Sequence, residues 1–168
     1  MIVVSDTSPI VSLALIGRLD LLRQIYGTIV IPQAVQDEIT ASGGRHPGGR
    51  EVVALDWIKV GAVTNSMVVM LLRRELDRGE AEAIALAIES AADRVLLDER
   101  KARSLAAYLS LPFAGLLDIL GEAKRVQLIP AIQPLMDELI ARANFRISRK
   151  LYRRVLQSAG EMTDADTP

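Results

Sequence analysis

Short β-branched runs alternate with amphipathic segments along the first three quarters of the chain. The apolar runs lie at residues 1–5, 28–31, 57–60 and 94–97, and a weaker run lies at 111–115. Runs of four or five apolar residues closed by turn residues are typical of buried strands, whereas the segments between them repeat with helical period. The pattern predicts an α/β fold of three layers, α/β/α, around a central parallel sheet of four to five short strands.

Domain organisation follows from length and from where the alternation ends. With 168 residues, of which 50% are hydrophobic, the chain can build one full core. We assign residues 1–126 to the α/β domain. Two amphipathic helices within 127–160 are expected to pack on the same domain, and the acidic, polar residues 161–168 are expected to form a disordered tail.

Composition excludes several classes of site. The chain has no cysteine and one histidine, so a bound metal would be held mainly by oxygen. A net charge of −1 gives no overall attraction to a polyanion, which would need local basic patches or bridging cations. The longest bulky apolar run, residues 67–72, is too short to span a bilayer, and the start lacks an export signal. We therefore expect a cytoplasmic protein without a membrane partner.

The end of the first strand carries the first candidate residue. Asp6 follows the apolar run and precedes Thr7, Ser8 and Pro9. We expect Ser8 to cap the following helix with Pro9 at its first position, which leaves Asp6 free at the carboxyl end of the strand. In α/β folds ligands bind at that end. The alternative is that Asp6 is only a cap or turn residue.

Two glutamates project from apolar helix faces. Glu38 lies four residues after Ala34 and three after Val35, in the middle of an apolar face. Glu80 shares a face with Ile84, whereas Glu82 points to the opposite side. A buried carboxylate must be paired, protonated or bound to a cation, so these positions predict either salt bridges or a site.

The fourth apolar run also ends in a carboxylate, Asp98. The carboxyl ends of parallel strands and the amino ends of the following helices share one rim of a sheet, so Asp6, Glu80 and Asp98 are expected to meet there. Glu38 needs its helix to lean across the sheet end. Arg100, Lys101 and Arg103 follow Asp98 and are either contacts for the backbone of a polyanionic substrate or a solvated helix face.

A glycine-rich segment, residues 41–50, predicts a surface loop. It lacks the Gly-Lys-Ser/Thr ending of a P-loop. Arg45, His46 and Arg50 within it are either a clamp for a substrate backbone or solvated loop residues.

Four motifs in this order resemble the PIN-domain superfamily, and more narrowly an uncharacterised branch close to VapC-type toxins. They are Asp6-Thr-Ser-Pro, Pro32-x-x-Val35-x-x-Glu38, Gly79-Glu80-Ala-Glu-Ala-Ile and Val95-Leu-Leu-Asp98-Glu-Arg-Lys-Ala-Arg. The similarity covers about residues 1–125, and Phe145-Arg-Ile-Ser148 with Leu151-Tyr152 is similar to the C-terminal helices of that branch.

The resemblance implies a metal-dependent ribonuclease, often a homodimer, that a small antitoxin protein neutralises. Asp6, Glu38, Glu80 and Asp98 match the four acidic positions of the family. The third position is usually aspartate, and Glu82 nearby leaves open which glutamate serves.

Four carboxylates close together are expected to bind a divalent cation. Two unit charges about 4 Å apart repel by roughly 4 kcal/mol at an effective dielectric near 20, and a hard divalent cation relieves this. Oxygen ligands select Mg²⁺ or Mn²⁺. We assign Asp6 and Asp98 as direct ligands, Glu80 as a ligand direct or through water, and Glu38 as a ligand or water-orienting group. Thr7 and Ser8 are assigned supporting roles at a phosphate or a coordinated water.

Other classes remain as alternatives of different weight. A haloacid-dehalogenase-type phosphotransferase needs a second aspartate where Ser8 stands, and a receiver domain needs a lysine near residues 113–115. A catalytically inactive PIN-like interaction module with a metal-binding or vestigial acidic cluster stays open. Metal titration and an RNA cleavage assay separate it from a nuclease.

Overall fold

Five parallel strands form the single sheet seen in the computed structural model, which describes residues 1–41 and 49–162. The strand order is β3-β2-β1-β4-β5. Helices cover both faces of the sheet, and this confirms the three-layer α/β/α architecture predicted from the sequence. The strands are β1 (Val3–Ser5), β2 (Ile29–Pro32), β3 (Ile58–Gly61), β4 (Arg94–Leu96) and β5 (Phe113–Ala114).

Helices connect successive strands, and three more follow the last strand. Over the described ranges they are α1 (Thr7–Leu15), α2 (Asp20–Tyr26), α3 (Gln33–Ala41), α4 (Gly49–Ala54), α5 (Ser66–Leu72), α6 (Arg78–Glu89), α7 (Arg100–Tyr108), α8 (Leu116–Arg125), α9 (Gln133–Arg142) and α10 (Arg149–Ser158).

The strand order reverses between β1 and β4. β2 and β3 extend the sheet on one side of β1, while β4 and β5 extend it on the other. Ser5 pairs with Leu96 in the register, so both strands end at nearly the same level. A crevice forms at the carboxyl end of such a switch point, because the two connections leave in opposite directions. Asp6 and Asp98 follow the two strands that border it.

The sheet separates two apolar cores. Val3 faces one core and its neighbour Val4 faces the other, as the two-residue period of a strand requires. α6 and α7 cover the core on the Val4 side. The C-terminal helices belong to the Val3 side, where Leu139 of α9 and Leu156 of α10 are buried in the same cluster as residues of β1 and α1. These helices therefore pack on the α/β domain.

Local expectations differ from the structure at the first helix. α1 begins at Thr7 with Asp6 at the N-cap, so the prediction that Ser8 caps the helix is wrong. Pro9 is the third helical residue, which a helix tolerates because its first four N–H groups have no partner within it.

The glycine-rich segment and the end of the chain also differ from the predictions. α4 begins at Gly49, within the predicted loop, and Val52 anchors it in the core. Glu161 accepts hydrogen bonds from Ile132 N and Lys124 Nζ, so it is part of the packed domain rather than a tail. Arg45, His46 and the tail from residue 163 onward lie outside the described residues. Within those that are described, no helix is long and apolar enough to cross a membrane.

Candidate active site

Asp6 lies at the end of β1 with its side chain almost fully enclosed. Its backbone N–H donates to Leu96 O, which ties it to β4, and the residue is 3% exposed. Burial is the largest cause that raises the pKa of the Asp6 carboxyl from 3.8 to about 7; a hydrogen bond from the Thr7 backbone lowers it, and the negative charges of Asp77, Glu80 and Glu38 add to the rise.

Glu38 extends from the middle of α3 to the start of α1. The Thr7 hydroxyl donates a hydrogen bond to Glu38 Oε2, which fixes the orientation of the carboxylate. Gly79 of α6 lies against the same carboxylate, since a Cβ added there would be 2.7 Å from both Glu38 oxygens. The missing side chain of Gly79 thus makes room for Glu38, and α3 leans over the sheet end as its sequence position requires.

Glu80 occupies the first turn of α6 and is 5% exposed. Glu80 N donates to Asp77 Oδ1 at 2.8 Å, and Asp77 N donates to Glu80 Oε2 at 3.2 Å, a reciprocal capping pair. Glu80 Oε1 is buried and has no hydrogen-bond partner. Burial first, and then the charge of Asp77, raise the pKa of the Glu80 carboxyl above its ordinary value.

Glu82 makes different contacts from Glu80. Its Oε2 accepts a hydrogen bond from Ala34 N at 3.0 Å, and its Oε1 accepts one from Arg78 Nε at 2.9 Å. Glu82 therefore holds the start of α3 against α6 and is already paired. The geometry favours Glu80 over Glu82 as the carboxylate that faces the crevice.

Asp98, on the other side of the switch point, is half-buried. Burial raises the pKa of its carboxyl, while the Leu116 N–H, 3.4 Å from Oδ1, and the Arg103 guanidinium act in the opposite direction. Glu99 and Asp118 add negative charge nearby. The guanidinium of Arg103 therefore compensates part of the negative charge of Asp98.

Arg103 also contacts an aromatic ring, with its guanidinium carbon 5.6 Å from the centroid of Phe113. Arg100 and Arg103 line a cleft of about 380 Å³ that includes Asp98. Lys101 is exposed and does not line this cleft. Two of the three cations predicted as RNA contacts therefore lie beside a candidate site residue.

Comparison with known families identifies the fold. A profile of the DUF3368 family, described as a PIN domain, matches residues 2–161. The chain belongs to the PIN-domain superfamily. No protein of established function in the curated collections matches it significantly.

PIN domains are generally nucleases, so this membership indicates a hydrolase fold acting on nucleic acid. The match spans α9 and α10 as well as the sheet, so the C-terminal helices are part of this PIN domain. The resemblance deduced from the sequence motifs is confirmed at the level of the superfamily.

Two sub-clusters make up the acidic crevice of the PIN domain. Asp6, Glu38 and Glu80 influence one another's charge on the side of β1, α3 and α6. Asp98 lies with Glu99 beside β4, and Glu99 also acts on Glu80. The four predicted acidic residues thus lie at the same end of the sheet in two groups, and Glu99 acts on a member of each.

The structure adds acidic residues that the sequence motifs did not include. Asp77 acts on both Asp6 and Glu80. Its spacing of three residues from Glu80 is the signal of a capping pair and could have revealed it. Asp118, which caps Gly115 N, has no such link to the strand-end motifs. Ser8 makes no side-chain hydrogen bond with any described residue, whereas Thr7 binds Glu38.

The donor chemistry of the crevice fits a hard cation. The available ligands are carboxylate oxygens, and the buried Glu80 Oε1 lacks a partner. Among the described residues, no three acidic or histidine side chains are arranged to hold a metal ion. Mg²⁺ does not require such a cage, because it keeps several waters and is bound through one or two carboxylates plus substrate phosphates. Asp6 and Glu80 are the pair that would hold it.

Proposed function

We propose that this PIN domain is a Mg²⁺- or Mn²⁺-dependent endoribonuclease, and that it serves as the toxin of a toxin–antitoxin pair in the cytoplasm. The observation that supports the nuclease most strongly is the burial of two carboxyl groups, Asp6 and Glu80, at the switch point, where Glu80 Oε1 has no hydrogen-bond partner among the described residues. Burying a charged group without a partner costs several kcal/mol, and a bound cation would offset that cost.

Each residue of the crevice then has a chemical task. Asp6 and Glu80 bind the cation, and Glu38, held by Thr7, orients water beside it. When bound, the cation neutralises these carboxylates, lowers the pKa of a coordinated water and stabilises charge on the phosphodiester. Asp98 completes the ligand set from β4 or through water.

Arg100 and Arg103 supply the opposite charge. They line the cleft next to Asp98, where a phosphate of the RNA can contact both guanidinium groups. Phe113 fixes one face of Arg103 and so limits the orientations of its guanidinium. Substrate positioning is therefore assigned to the β4 side of the crevice and cation binding to the β1 side.

The toxin role, the antitoxin and a homodimer are proposed from the similarity to VapC-type proteins. One structural feature supports a protein partner: Met67, Met70 and Leu71 of α5 are each more than half exposed. Large apolar side chains exposed together mark an interaction surface.

The decisive experiment combines metal binding with RNA cleavage. Thermal unfolding of the purified protein is measured with increasing MgCl₂ or MnCl₂, and cleavage of single-stranded RNA is followed by gel. The nuclease is stabilised by the metal and cuts RNA only in its presence. Stabilisation without cleavage identifies the inactive interaction module, and the absence of both effects contradicts the metal site. Sequencing RNA ends after induction in cells then identifies the target.

A further inference from the structure

The C-terminal helices carry the densest positive charge in the chain. Residues 142–154 contain six of the 20 lysines and arginines and no acidic residue, although the whole chain has a net charge of −1. All six are exposed. We define them as the C-terminal basic patch: Arg142, Arg146, Arg149, Lys150, Arg153 and Arg154.

Helix α10 separates this charge from its apolar face. Tyr152, Val155 and Leu156 pack into the core on the Val3 side of the sheet. Lys150 and Arg154 project from the opposite face of the helix and Arg153 lies beside them, whereas Arg149 lies at the edge of the apolar face, three residues before Tyr152. Because the apolar face is already buried in the domain, α10 has no free face with which to enter a lipid surface.

Local stability does not account for the patch. Arg149 and Lys150 are the first two residues of α10, where the helix dipole disfavours cations. Arg149 with Arg153, and Lys150 with Arg154, place like charges four residues apart on one helix. Only Arg142 pairs with an acid within the described residues, at 3.6 Å from Glu138. Charged residues that destabilise their own helix at several positions indicate a functional requirement.

Five of the six patch residues lie toward one end of the α9–α10 hairpin. At the other end, Glu161 binds Ile132 and Gln133 at the start of α9, and a cavity there is lined by Ile132, by Arg94 at the beginning of β4 and by Arg154, the sixth patch residue. At the patch end, Arg149 and Tyr152 line a hollow with Ile140 near the end of α9. The two ends are separated by about 15 Å, the length of a ten-residue helix.

We infer that the C-terminal basic patch is a docking surface for the phosphate backbone of single-stranded RNA, outside the acidic crevice. The inference rests on the proposed function for its choice of RNA. The crevice itself repels a polyanion through Asp6, Glu38, Asp77 and Glu80, so affinity for RNA must come from elsewhere on the surface. Unpaired arginines and lysines supply it through counterion release.

A protein partner fits the patch less well. Protein interfaces have an apolar centre surrounded by polar residues, with aromatic or aliphatic anchors. Among the exposed residues of α10, Leu151 is the one large apolar side chain, and it is 38% exposed. Phosphate contacts require charge without apolar anchors, which matches the composition of the patch.

The test uses a neutralised patch and a matched control. The triple variant Arg149→Gln, Lys150→Gln, Arg153→Gln removes three charges from the patch. The control Arg18→Gln, Arg23→Gln, Lys59→Gln removes three exposed charges elsewhere. Binding of a labelled single-stranded RNA of about 30 nucleotides is measured by fluorescence anisotropy over a range of salt, with EDTA present to prevent cleavage.

The patch variant is expected to lose about tenfold in affinity and about 2 units of the salt slope, because each neutralised phosphate contact contributes roughly 0.7 to that slope for a single strand. The control is expected to bind RNA with nearly the wild-type affinity. Equal losses in both variants, or no loss in the patch variant, overturn the inference. Binding of polyglutamate of equal charge as tightly as RNA would assign the patch to an acidic protein and would also overturn it.

Cleavage of a tetranucleotide separates this inference from the proposed function. A tetranucleotide has only three phosphodiesters, so few are left to contact the patch when one is bound for cleavage; the patch variant should therefore cut it at close to the wild-type rate while its KM for long RNA rises about tenfold. If the wild type cuts neither substrate but binds RNA through the patch, the proposed function fails and the docking surface stands. If it cuts both and the patch variant keeps its KM for long RNA, the docking surface fails and the nuclease stands.

Discussion

The two sides of the crevice carry the same residue type in different surroundings. Asp6 and Asp98 each follow a buried strand at the switch point. Asp6 is 3% exposed and its neighbours are other acids, whereas Asp98 is half-buried and lies near Arg103 and the Leu116 N–H. The difference teaches that equivalent positions in the chain need not have equivalent roles. On the β1 side a bound cation would neutralise the negative charge of the carboxylates. On the β4 side Arg103 already compensates part of the negative charge of Asp98.

Substitution of the two aspartates tests this contrast with the largest expected effect. Asp6→Asn should reduce metal-dependent RNA cleavage by more than about 100-fold and abolish thermal stabilisation by Mg²⁺, because it removes a ligand rather than a supporting contact. Asp98→Asn should keep part of the metal response and mainly raise KM. Steady-state cleavage and thermal unfolding measure both effects.

Asp37→Asn serves as the control, because Asp37 lies on α3 beside Glu38 but its side chain contacts the exposed Arg78 and Gln33 instead of the acidic residues. It should behave as the wild type. Identical losses in the Asp6 and Asp98 variants would abolish the distinction between the two sides.

The sequence predicted the sheet and the crevice because both depend on short-range patterns. Apolar runs that stop at a carboxylate place Asp6 and Asp98 at strand ends, and helical periodicity turns Glu38 and Glu80 inward. The superfamily then followed from the order of these motifs. The metal ligands themselves, the toxin role and the dimer stay predictions.

Contacts between distant segments could not be predicted from such short-range patterns. That Glu82 caps α3 while Glu80 faces the crevice depends on how α3 packs on α6, and periodicity does not encode this. The Thr7 contact with Glu38 also spans 31 residues. The sequence did not predict α4 because its first two residues, Gly49 and Arg50, belong to a glycine-rich stretch that is typical of a loop.

The pH dependence of protein stability gives a second test of the difference between Asp6 and Asp98. The pKa of Asp6 is raised from 3.8 to about 7, so the folded protein holds a proton that the unfolded chain releases. The contribution of Asp6 to metal-free stability should therefore be largest below pH 4, fall as the pH rises from about 4 to 7, and level off above. The Asp6 contribution to this fall is at most on the order of 4 kcal/mol.

Urea unfolding of the metal-free protein across this pH range measures the effect. Asp6→Asn should flatten the profile, since an asparagine does not titrate, and it should be at least as stable as the wild type near pH 8. A wild-type profile that rises between pH 4 and 7 and is unchanged by Asp6→Asn would place the buried charge elsewhere.

Two glycines test how closely the β1 side is packed. Gly79→Ala forces a methyl group against the Glu38 carboxylate and should reduce cleavage about 10- to 100-fold, because a displacement of about 1 Å misaligns a catalytic group. Gly121→Ala, in the open middle of α8, should leave cleavage unchanged and stabilise the protein by about 0.5–1 kcal/mol. Cleavage rates and urea unfolding measure both variants, and normal activity in Gly79→Ala would show that Glu38 is dispensable.

The smallest effect is expected at Glu82. Glu82→Ala removes the acceptor for Ala34 N and should cost about 1 kcal/mol of stability, with cleavage retained at temperatures where the protein is folded. Glu80→Gln should do the opposite and lose cleavage with little change in stability. If cleavage fails in the Glu82 variant instead, the choice between the two glutamates is reversed.

Several neighbouring residues in the first turn of α6 contact or electrostatically influence the acidic residues of the crevice. Asp77 and Glu80 face Asp6, Gly79 receives the Glu38 carboxylate, and Glu82 holds the start of α3. A small rotation of this one turn would move most of the β1 side together. Hydrogen–deuterium exchange should therefore slow in concert at the amino ends of α3 and α6 when Mg²⁺ binds, as expected for a single cooperative unit.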